Sequence, residues 1–471
     1  MVGTRGAAGT RSAAGTRSAA GPQSAAGPRS AAGTRGVAGA HAAPGARGAA
    51  GATIALYSHD SVGLGHARRN RALAHALAEH LPALVGGPVR GLLIAGHPDA
   101  GRDPLPEGWD WLILPGLTRG PEGWIPRRLG MDPAALRDLR SAALLATLDA
   151  LDPDLFIADR HPFGIDGELR PVLEMLRARG CRTVLGLREV LDTPRVAAGE
   201  WEELGGADGV AKLLDAVWIY GDHRVYDPRL TGELPGPLAR LAEPTGYLSA
   251  GRPAARPRRS DRPSPAPPPP YLLTVLGGGS DGAELARLAL QATPPPGHRH
   301  LLITGPQMPT ADLEELHEIA DGHATVVRSA PDVPELIAEA AAVVCMGGYN
   351  TVAEVLDTTT PALVVPRARR RQEQPRRAAA LAAAGALETQ EAAGLTAADI
   401  TEWWARAVTG RTVRSGIDLD GLAVVPRLAA RLLDPSAAHE IAAPDVAARD
   451  VTVPDVTVPA RVLPEVHSHA V

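Results

Sequence analysis

Lysine, aromatic residues and cysteine are all scarce in this chain of 471 residues. Lys212 is the sole lysine, so arginine carries nearly all of the positive charge, and aromatic residues make up only 3% of the chain. We attribute this bias to the coding of a GC-rich genome. The two cysteines, Cys181 and Cys345, belong to no CxxC or Cys/His cluster. This argues against a disulfide framework and against a zinc site, so no metal ion is expected.

The chain also lacks a strong net charge and a long apolar run. Its formal net charge of −5 gives no general attraction to nucleic acid or acidic membranes, so we expect no nucleic-acid partner. No uninterrupted apolar stretch reaches the roughly 20 residues that span a bilayer. The N-terminus has no apolar core of a secretory signal. We therefore predict a cytoplasmic protein.

Three segments have the composition of a chain without a packed core. Residues 1–52 repeat a degenerate six-residue unit, as in Gly9-Thr-Arg-Ser-Ala-Ala, and contain six arginines and no acid before residue 51. Residues 250–270 contain eight prolines and five arginines, which is typical of a semi-rigid linker. Residues 435–471 are rich in Val, Pro and Asp. We predict disordered tails at both ends, with weak anion binding as a second interpretation of the first tail.

Between these segments, short apolar runs alternate with helical patterns. The predicted strands are 53–57, 91–95, 111–114, 155–158, 183–187 and 217–220, and then 271–276, 300–304, 324–328, 342–345 and 362–365. Strands that alternate with helices indicate a parallel, doubly wound sheet. We predict an α/β protein with two Rossmann-like domains, over 53–249 and 271–434, that face a cleft.

A glycine turn follows the first strand of the N-terminal domain. It contains Gly63 and Gly65 and ends at His66, where a helix begins. Glycines let the backbone approach a ligand closely, and ligands of open α/β sheets bind at the carboxyl ends of the strands. The fingerprint GxGxxG is absent, which disfavours an NAD enzyme. His66 is therefore a candidate site residue, and a tight turn with a helix-start histidine is the alternative.

A second glycine turn follows the first strand of the C-terminal domain. It consists of Gly277, Gly278, Gly279 and Ser280 and continues to Gly282. Free amides at a helix N-terminus favour phosphate. The spacing does not match a P-loop and no GK[ST] follows, so this turn alone is a weak signal.

The most informative stretch, residues 343–374, has the pattern strand, glycine turn, helix, strand and loop. The residues expected to bind a ligand are Gly347, Gly348, Asn350, Thr351, Glu354, Glu373 and Gln374. Glu354 lies one turn inside the helix, where its carboxylate can accept hydrogen bonds from both hydroxyls of a ribose. Such charge-assisted bonds are worth roughly 1.5–3 kcal/mol each.

This stretch, GGYNTVAEVL…TPALVVPRARRRQEQ, resembles the donor-binding region of glycosyltransferase family 28, the MurG-like transferases. The turn GLGH at residues 63–66 is similar to the glycine turn of the same family, and the similarity extends over residues 53–433. The resemblance implies a GT-B fold and inverting, metal-independent transfer from a nucleoside-diphosphate sugar, with no cofactor. A uridine donor is expected by the same analogy.

The resemblance also implies a role for individual residues. Glu354 would bind the ribose, Glu373 and Gln374 the donor sugar, residues 277–282 the diphosphate, and His66 would be the general base. Residues 159–164 and 185–192 resemble hallmarks of a bacterial subgroup described only as predicted glycosyltransferases, which leaves the acceptor open. Asp159 and His161 are further catalytic candidates from this subgroup pattern. His161 could orient the acceptor or His66, or it is a histidine at a strand end.

Arginines surround the expected sugar-contact pair, at positions 367, 369, 370, 371, 376 and 377. One interpretation is a clamp for phosphate or an acidic sugar, because the planar guanidinium pairs well with phosphate. A solvated basic loop is the second. A peripheral membrane contact is the third, worth about 1 kcal/mol per arginine near anionic lipid.

Two other functions remain open at this stage. GLGHARR also resembles the GxGHxxR turn of GT-B-like hydrolases of pseudaminic acid synthesis, in which water replaces the acceptor. The long segment 126–247 favours a larger acceptor instead. A non-catalytic nucleotide-sugar-binding protein is the third hypothesis, against which the presence of His66, Glu354 and Gln374 counts.

Overall fold

The computed structural model describes residues 51–59, 63–120, 123–253, 267–268, 270–367 and 371–435. The predicted tails, except residues 51–52 and 435, and the linker, except at its two ends, lie outside these described residues. The first strand begins at Ala52, one residue before the predicted start of order.

In the N-terminal half, parallel strands alternate with helices, apart from one antiparallel hairpin. The strands are β1 (Ala52–Tyr57), β2 (Val89–Ala95), β3 (Trp109–Ile113), β4 (Leu117–Gly120), β5 (Gly123–Pro126), β6 (Leu155–Asp159), β7 (Arg182–Arg188), β8 (Ala216–Tyr220) and β9 (Ala242–Pro244). The helices are α1 (Gly65–Val85), α2 (Pro133–Leu151), α3 (Arg170–Ala178), α4 (Pro194–Glu203), α5 (Ala207–Ala211) and α6 (Gly236–Ala239). Seven strands form one sheet in the order β3-β2-β1-β6-β7-β8-β9, and β4 pairs only with β5.

The C-terminal half repeats the same plan. Its strands are β10 (Tyr271–Val275), β11 (Arg299–Ile303), β12 (Ala324–Val327), β13 (Ala342–Cys345), β14 (Ala362–Val364) and β15 (Glu388–Thr389). Its helices are α7 (Ala283–Gln291), α8 (Thr310–Ala320), α9 (Val333–Glu339), α10 (Tyr349–Leu356), α11 (Glu373–Ala383), α12 (Ala397–Ala407) and α13 (Gly421–Leu433). The six strands are ordered β12-β11-β10-β13-β14-β15. We call the two halves the N-lobe and the C-lobe.

Both sheets have the doubly wound strand order, in which the direction of winding reverses beside the first strand. The reversal lies between β1 and β6 in the N-lobe and between β10 and β13 in the C-lobe. Loops that leave two such strands diverge and open a crevice where ligands bind. The two crevices are therefore formed by the turns after β1, β6, β10 and β13.

Local sequence explains why these elements form. Every residue of β1 is buried, as its unbroken apolar pattern predicts for a strand covered on both faces. Along α1, Leu73, Leu77 and Leu81 recur every four residues and are fully buried. The side chain of Asp132 caps α2 by accepting hydrogen bonds from two backbone amides.

The last helix connects the lobes. Although α13 follows the C-lobe in the chain, it packs on α1 of the N-lobe. Leu422 and Val425 of α13 share one buried apolar cluster with Leu73 of α1 and Tyr349 of α10. The helix α1 is therefore packed against elements of the C-lobe.

The pattern of strands and helices confirms the predicted α/β class with doubly wound sheets, and the predicted strands match the observed ones within about two residues at each end. The hairpin of β4 and β5, the short strands β9 and β15, and the helices α4, α5 and α6 were not predicted. Cys181 and Cys345 are buried and form no disulfide. Within the described part of the chain, no helix combines the length and apolarity that a membrane span requires. The domain boundaries stay a prediction.

Candidate active site

The residues singled out in the N-lobe meet at the crevice between β1 and β6. His66 lies in the first turn of α1, and Asp159 is the last residue of β6. Nδ1 of His66 lies 3.0 Å from Oδ2 of Asp159. The structure thus brings these two predicted residues, 93 positions apart, into direct contact.

Arg69 completes this arrangement. Its Nη2 donates a hydrogen bond of 2.6 Å to Oδ2 of Asp159 and lies 3.1 Å from Nδ1 of His66. Burial by itself raises the pKa of Asp159, but Arg69 and His66 outweigh it and hold the pKa below its usual value. Asp159 is therefore a carboxylate. In the tautomer with its proton on Nδ1, His66 donates a hydrogen bond from Nδ1 to this carboxylate, and Nε2 is the nitrogen that can receive a proton.

The ring of His161 is not in direct contact with the ring of His66. The ring centroids of His161 and His66 are 6.4 Å apart, whereas His59 lies 4.4 Å from His161 and 4.6 Å from His66. Burial, followed by neighbouring positive groups, lowers the pKa of both His59 and His161 well below the usual value. These two rings are neutral at pH 7, and His59 connects His161 to His66.

A cavity of about 200 Å³ adjoins these histidines. Its lining includes His59, Arg119, Trp124, Arg160, His161 and Glu200. The guanidinium of Arg119 stacks over the ring of Trp124 at 4.0 Å, so the β4–β5 hairpin forms one wall.

Arg160, which stands between Asp159 and His161 in the chain, has a strained backbone conformation. Its φ of 69° is in the left-handed region that residues other than glycine rarely adopt. A hydrogen bond to the carbonyl oxygen of Gly186 and an ion pair of 2.6 Å to Glu200 hold it there. The turn allows Asp159 to contact His66 while His161 lines the cavity. Strain of this kind is concentrated at functional sites.

The two predicted glycine turns of the C-lobe face the first turn of α1. A side chain at Gly279 would have its Cβ 2.2 Å from the carbonyl oxygen of Thr304, and its φ is 90°, so only glycine fits. Gln307 lies between the lobes, since its amide is about 3 Å from where a Cβ would stand at Gly63 and at Gly278. Asn350 of α10 donates a hydrogen bond of 2.9 Å to the carbonyl oxygen of Gly65. All three glycine turns therefore converge.

The remaining predicted residues of these turns lie near the first turn of α1 as well. Gly277 and Ser280 are exposed in the turn after β10, Gly348 is the N-cap of α10, and Thr351 is buried in its first turn. Gly347, at a φ of 80°, has no room for a Cβ beside Val364. The backbone amides at the start of α10 are thus placed next to the first turn of α1.

Glu354 is buried on α10 and is held from the N-lobe. Arg68 donates a hydrogen bond of 2.5 Å to its Oε1, and Nη1 of Arg252 lies 3.5 Å from the same oxygen. Oε2 of Glu354 is buried and has no hydrogen-bond partner among the described residues. A buried carboxylate oxygen without a donor costs about 1–3 kcal/mol or more, which favours a ligand hydroxyl there.

Glu373 belongs to a buried chain of four charges across the lobes. Arg188 donates a hydrogen bond to Glu373, Arg377 donates to the same oxygen at 2.9 Å, and Arg377 also forms a two-point ion pair with Glu189 at 2.7 and 3.1 Å. Burial raises the pKa of Glu373, but the two arginines outweigh it and lower that pKa to about 2. Burial lowers the pKa of Arg188 to about 10. Glu373 therefore joins the lobes through its contacts with Arg188 and Arg377.

The other arginines around this pair are also engaged. Arg367 pairs with Asp281, Arg371 with Glu200, and Arg376 with Glu233. Arg369 and Arg370 lie outside the described residues. The side-chain oxygen of Gln374 accepts a hydrogen bond from the backbone amide of residue 367. The interpretation as a solvated loop is wrong for Arg377, whose side chain is fully buried.

Several residues at the site had not been singled out from the sequence. His59, Arg68, Arg69 and Arg188 all contact or neighbour the predicted residues. Arg68 and Arg69, which follow GLGH after one alanine, were a usable signal, because α1 presents residues three or four apart on one face. Among the described residues, no group of three His, Cys, Asp or Glu side chains is placed to hold a metal ion.

Comparison with known proteins identifies the C-lobe and the fold. Residues 272–410 match the glycosyltransferase family 28 C-terminal domain. The structure is similar to spinosyn forosaminyltransferase SpnP, with 16% identity, a TM-score of 0.51, and coverage of 82% of this chain and 100% of that one. It is also similar to a UDP-glucosyltransferase from Polygonum tinctorium capable of glucosylating indoxyl, with 14% identity, a TM-score of 0.51, and coverage of 82% and 99%. No curated protein sequence matches the chain. The predicted GT-B fold is confirmed.

Proposed function

We propose that this glycosyltransferase, a GT-B protein with a family 28 C-terminal domain over residues 272–410, transfers a sugar from a uridine-diphosphate sugar to a hydroxyl acceptor. The contact of His66 with Asp159 at the converging glycine turns is the observation that carries this proposal. It supplies a base next to the place where a donor would bind.

In the proposed reaction, Nε2 of His66 takes the proton of the acceptor hydroxyl. The acceptor oxygen bonds to the anomeric carbon while the bond from that carbon to the diphosphate breaks, and the electron pair stays on the leaving oxygen. Attack from the face opposite the diphosphate inverts the sugar. A positioned base of this kind contributes about 10²–10⁴-fold to the rate.

Asp159 and Arg69 act through His66 in this scheme. The carboxylate of Asp159 keeps the Nδ1 proton in place and stabilises the positive charge that His66 gains. Arg69 keeps Asp159 ionised, because its guanidinium bonds the same oxygen at 2.6 Å. His66 is 20% exposed, so it is accessible to a substrate hydroxyl, whereas Asp159 is fully buried.

The donor would lie on the C-lobe side. Glu354 binds the ribose through its unpartnered Oε2, and the amides of residues 278–280 and 348–351 stabilise charge on the leaving diphosphate. Glu373 and Gln374 contact the donor sugar. Glu373 already accepts two arginine hydrogen bonds, so it serves the sugar with its remaining acceptor capacity. The scheme requires no metal ion.

The acceptor would enter from the cavity next to His59 and His161. At about 200 Å³ it is smaller than a typical ligand pocket of about 300–1,000 Å³. We infer that it holds the part of the acceptor next to the reacting hydroxyl, which extends from the cavity to His66, with the rest of the acceptor outside it. We further propose that the reaction takes place in the cytoplasm, where the two buried thiols stay reduced.

Transfer and hydrolysis can be separated by one experiment. Purified protein is incubated with radiolabelled UDP-glucose or UDP-N-acetylglucosamine, with and without a small-molecule extract as the source of acceptors. We expect a labelled conjugate that forms with wild type and not with His66→Ala. Rapid release of free sugar from the donor alone would support the hydrolase instead.

A further inference from the structure

Arg68 and Glu354 connect the two lobes at the proposed donor site. Arg68 lies on α1, Glu354 lies on α10, and the guanidinium donates a hydrogen bond of 2.5 Å to Oε1 of the carboxylate. Glu354 is 2% exposed and Arg68 is 39% exposed. If Glu354 binds the two ribose hydroxyls with its two oxygens, as the proposed function on which this inference rests requires, Oε2 is open to the first hydroxyl and Arg68 occupies Oε1, which the second hydroxyl needs.

The two arginines at Glu354 are held very differently. Arg252 also donates hydrogen bonds to Oδ1 of Asn350 at 3.1 Å and to the carbonyl oxygen of Leu248, so it is fixed in place. The guanidinium of Arg68 has Glu354 as its one hydrogen-bond partner among the described residues. Arg68 can therefore leave at the loss of one ion pair, while Arg252 remains to balance the charge of Glu354.

The geometry near Arg68 indicates where a released guanidinium would find an anion. Arg68 lies three residues after Gly65, the first residue of α1. The carbonyl oxygen of Gly65 accepts a hydrogen bond from the side chain of Asn350 at the start of α10. The side-chain amide of Gln307 lies close to both Gly63 and Gly278, and its backbone amide donates a hydrogen bond of 2.8 Å to the carbonyl oxygen of Gly278. A diphosphate bound at these turns would thus lie beside the first two turns of α1.

We propose that Arg68 is a phosphate-binding residue of the donor site, and that the diphosphate draws it away from Glu354 while the ribose takes its place. Arg68 then has opposite effects on the affinity for two groups of the ligand. It competes with a ribose for Glu354, and it adds a charge-assisted hydrogen bond to a phosphate. One side chain in the N-lobe thereby selects a nucleoside diphosphate over the free nucleoside.

The test is calorimetric titration of the full-length protein with UDP, TDP, GDP and CDP and with the four matching nucleosides. The variants are Arg68→Ala, Arg68→Gln, which keeps most of the side-chain volume, and Arg68→Lys. Arg137→Ala is the matched control, because it removes an arginine of α2 that pairs with Asp138 on the exposed surface. Wild type identifies the base to be used in the comparison.

We expect Arg68→Ala to weaken the diphosphate about tenfold, the effect of losing one charge-assisted hydrogen bond. The same variant should strengthen the nucleoside about threefold, because a partly exposed ion pair no longer competes. Arg68→Gln should shift both affinities in the same directions, and Arg68→Lys should recover part of the diphosphate affinity. Arg137→Ala should match wild type.

Two other results are informative in different ways. If wild type binds a nucleoside diphosphate and the Arg68→Ala and Arg68→Gln variants change both ligand affinities in one direction, or neither, the role of Arg68 is overturned and the proposed function stands. If wild type binds none of the eight compounds, both the proposed function and this inference are contradicted.

Discussion

Oδ2 of Asp159 lies 3.0 Å from Nδ1 of His66, at the point where β6 ends and α1 begins. The two residues are 93 positions apart in the chain, so their contact depends on the parallel pairing of β1 with β6. The pairing brings the carboxyl ends of both strands to one edge of the sheet. A proton on Nδ1 is thereby fixed, and Nε2 remains available as a base.

Replacement of His66 by alanine should lower kcat by about 10²–10⁴-fold, because the base is lost. The dissociation constant for the nucleotide should stay within about twofold, since our scheme assigns His66 no contact with the donor. Steady-state kinetics and calorimetry measure the two quantities. The matched control is His75→Ala on the same helix, where the imidazole lies next to the carbonyl oxygen of Pro104. Unchanged turnover in His66→Ala would remove His66 as the base.

Asp159→Asn should lower kcat by a similar factor, because an amide cannot stabilise the charge on His66. It should also destabilise the fold by about 3–5 kcal/mol, since buried Arg69 loses its counter-charge. The double variant Asp159→Asn with Arg69→Gln should regain much of the stability and none of the turnover. Recovery of turnover together with stability would show that Asp159 is only structural.

The buried pair of Arg377 and Glu189 should be important for the contact between the lobes. Arg377→Met leaves the fully buried carboxylate of Glu189 without its partner, which should cost about 3–5 kcal/mol of unfolding free energy. Glu189→Met combined with Arg377→Met should recover most of this loss. Urea unfolding of wild type, Arg377→Met, Glu189→Met and the double variant measures the coupling energy between Arg377 and Glu189. Additive losses would contradict a direct interaction.

Stability should fall as the pH drops below about 6.5. The pKa values of His59 and His161 are lowered in the folded chain, so below pH 6.5 the unfolded chain binds protons that the folded chain does not. Each such histidine contributes a slope of up to about 1.4 kcal/mol per pH unit. Urea unfolding between pH 7.5 and 5.5 should show a smaller slope for His161→Gln.

The control for this measurement is His80→Gln, an exposed histidine of α1. It should leave the slope as in wild type. The fixed positive charges of Arg160 and Arg371 also face His161 and disfavour its protonation. An equal slope for His161→Gln and wild type would show that folding does not lower the pKa of His161.

Sequence patterns were sufficient for the fold and for part of the site. Strands such as β1 and β13 are almost entirely apolar and are followed by glycine turns, and that local signal indicates doubly wound sheets without knowledge of contacts. The same turns drew attention to His66 and Gly347. These features are local, so they can be predicted from neighbouring residues.

The partners of these residues could not be predicted in the same way. Arg68 and Glu354 are 286 positions apart, and Arg377 lies 188 positions from Glu189. In the sequence, Arg377 is one arginine of a basic run, and only the packing of the lobes distinguishes it from a solvated side chain. The ion pairs between the lobes, and with them the part of the site contributed by Arg69 and Arg188, are a product of tertiary structure.

The most direct measurement is the thermal stability of wild type and Glu354→Gln with UDP-, TDP-, GDP- and CDP-sugars. At 100 times its dissociation constant, a bound ligand adds about 2.7 kcal/mol of stability. We predict that one class of nucleotide sugar, the uridine class, stabilises wild type by this amount and stabilises Glu354→Gln much less at the same concentration. Wild type that is stabilised by none of the four, or a variant stabilised equally, would contradict a sugar-nucleotide site at Glu354.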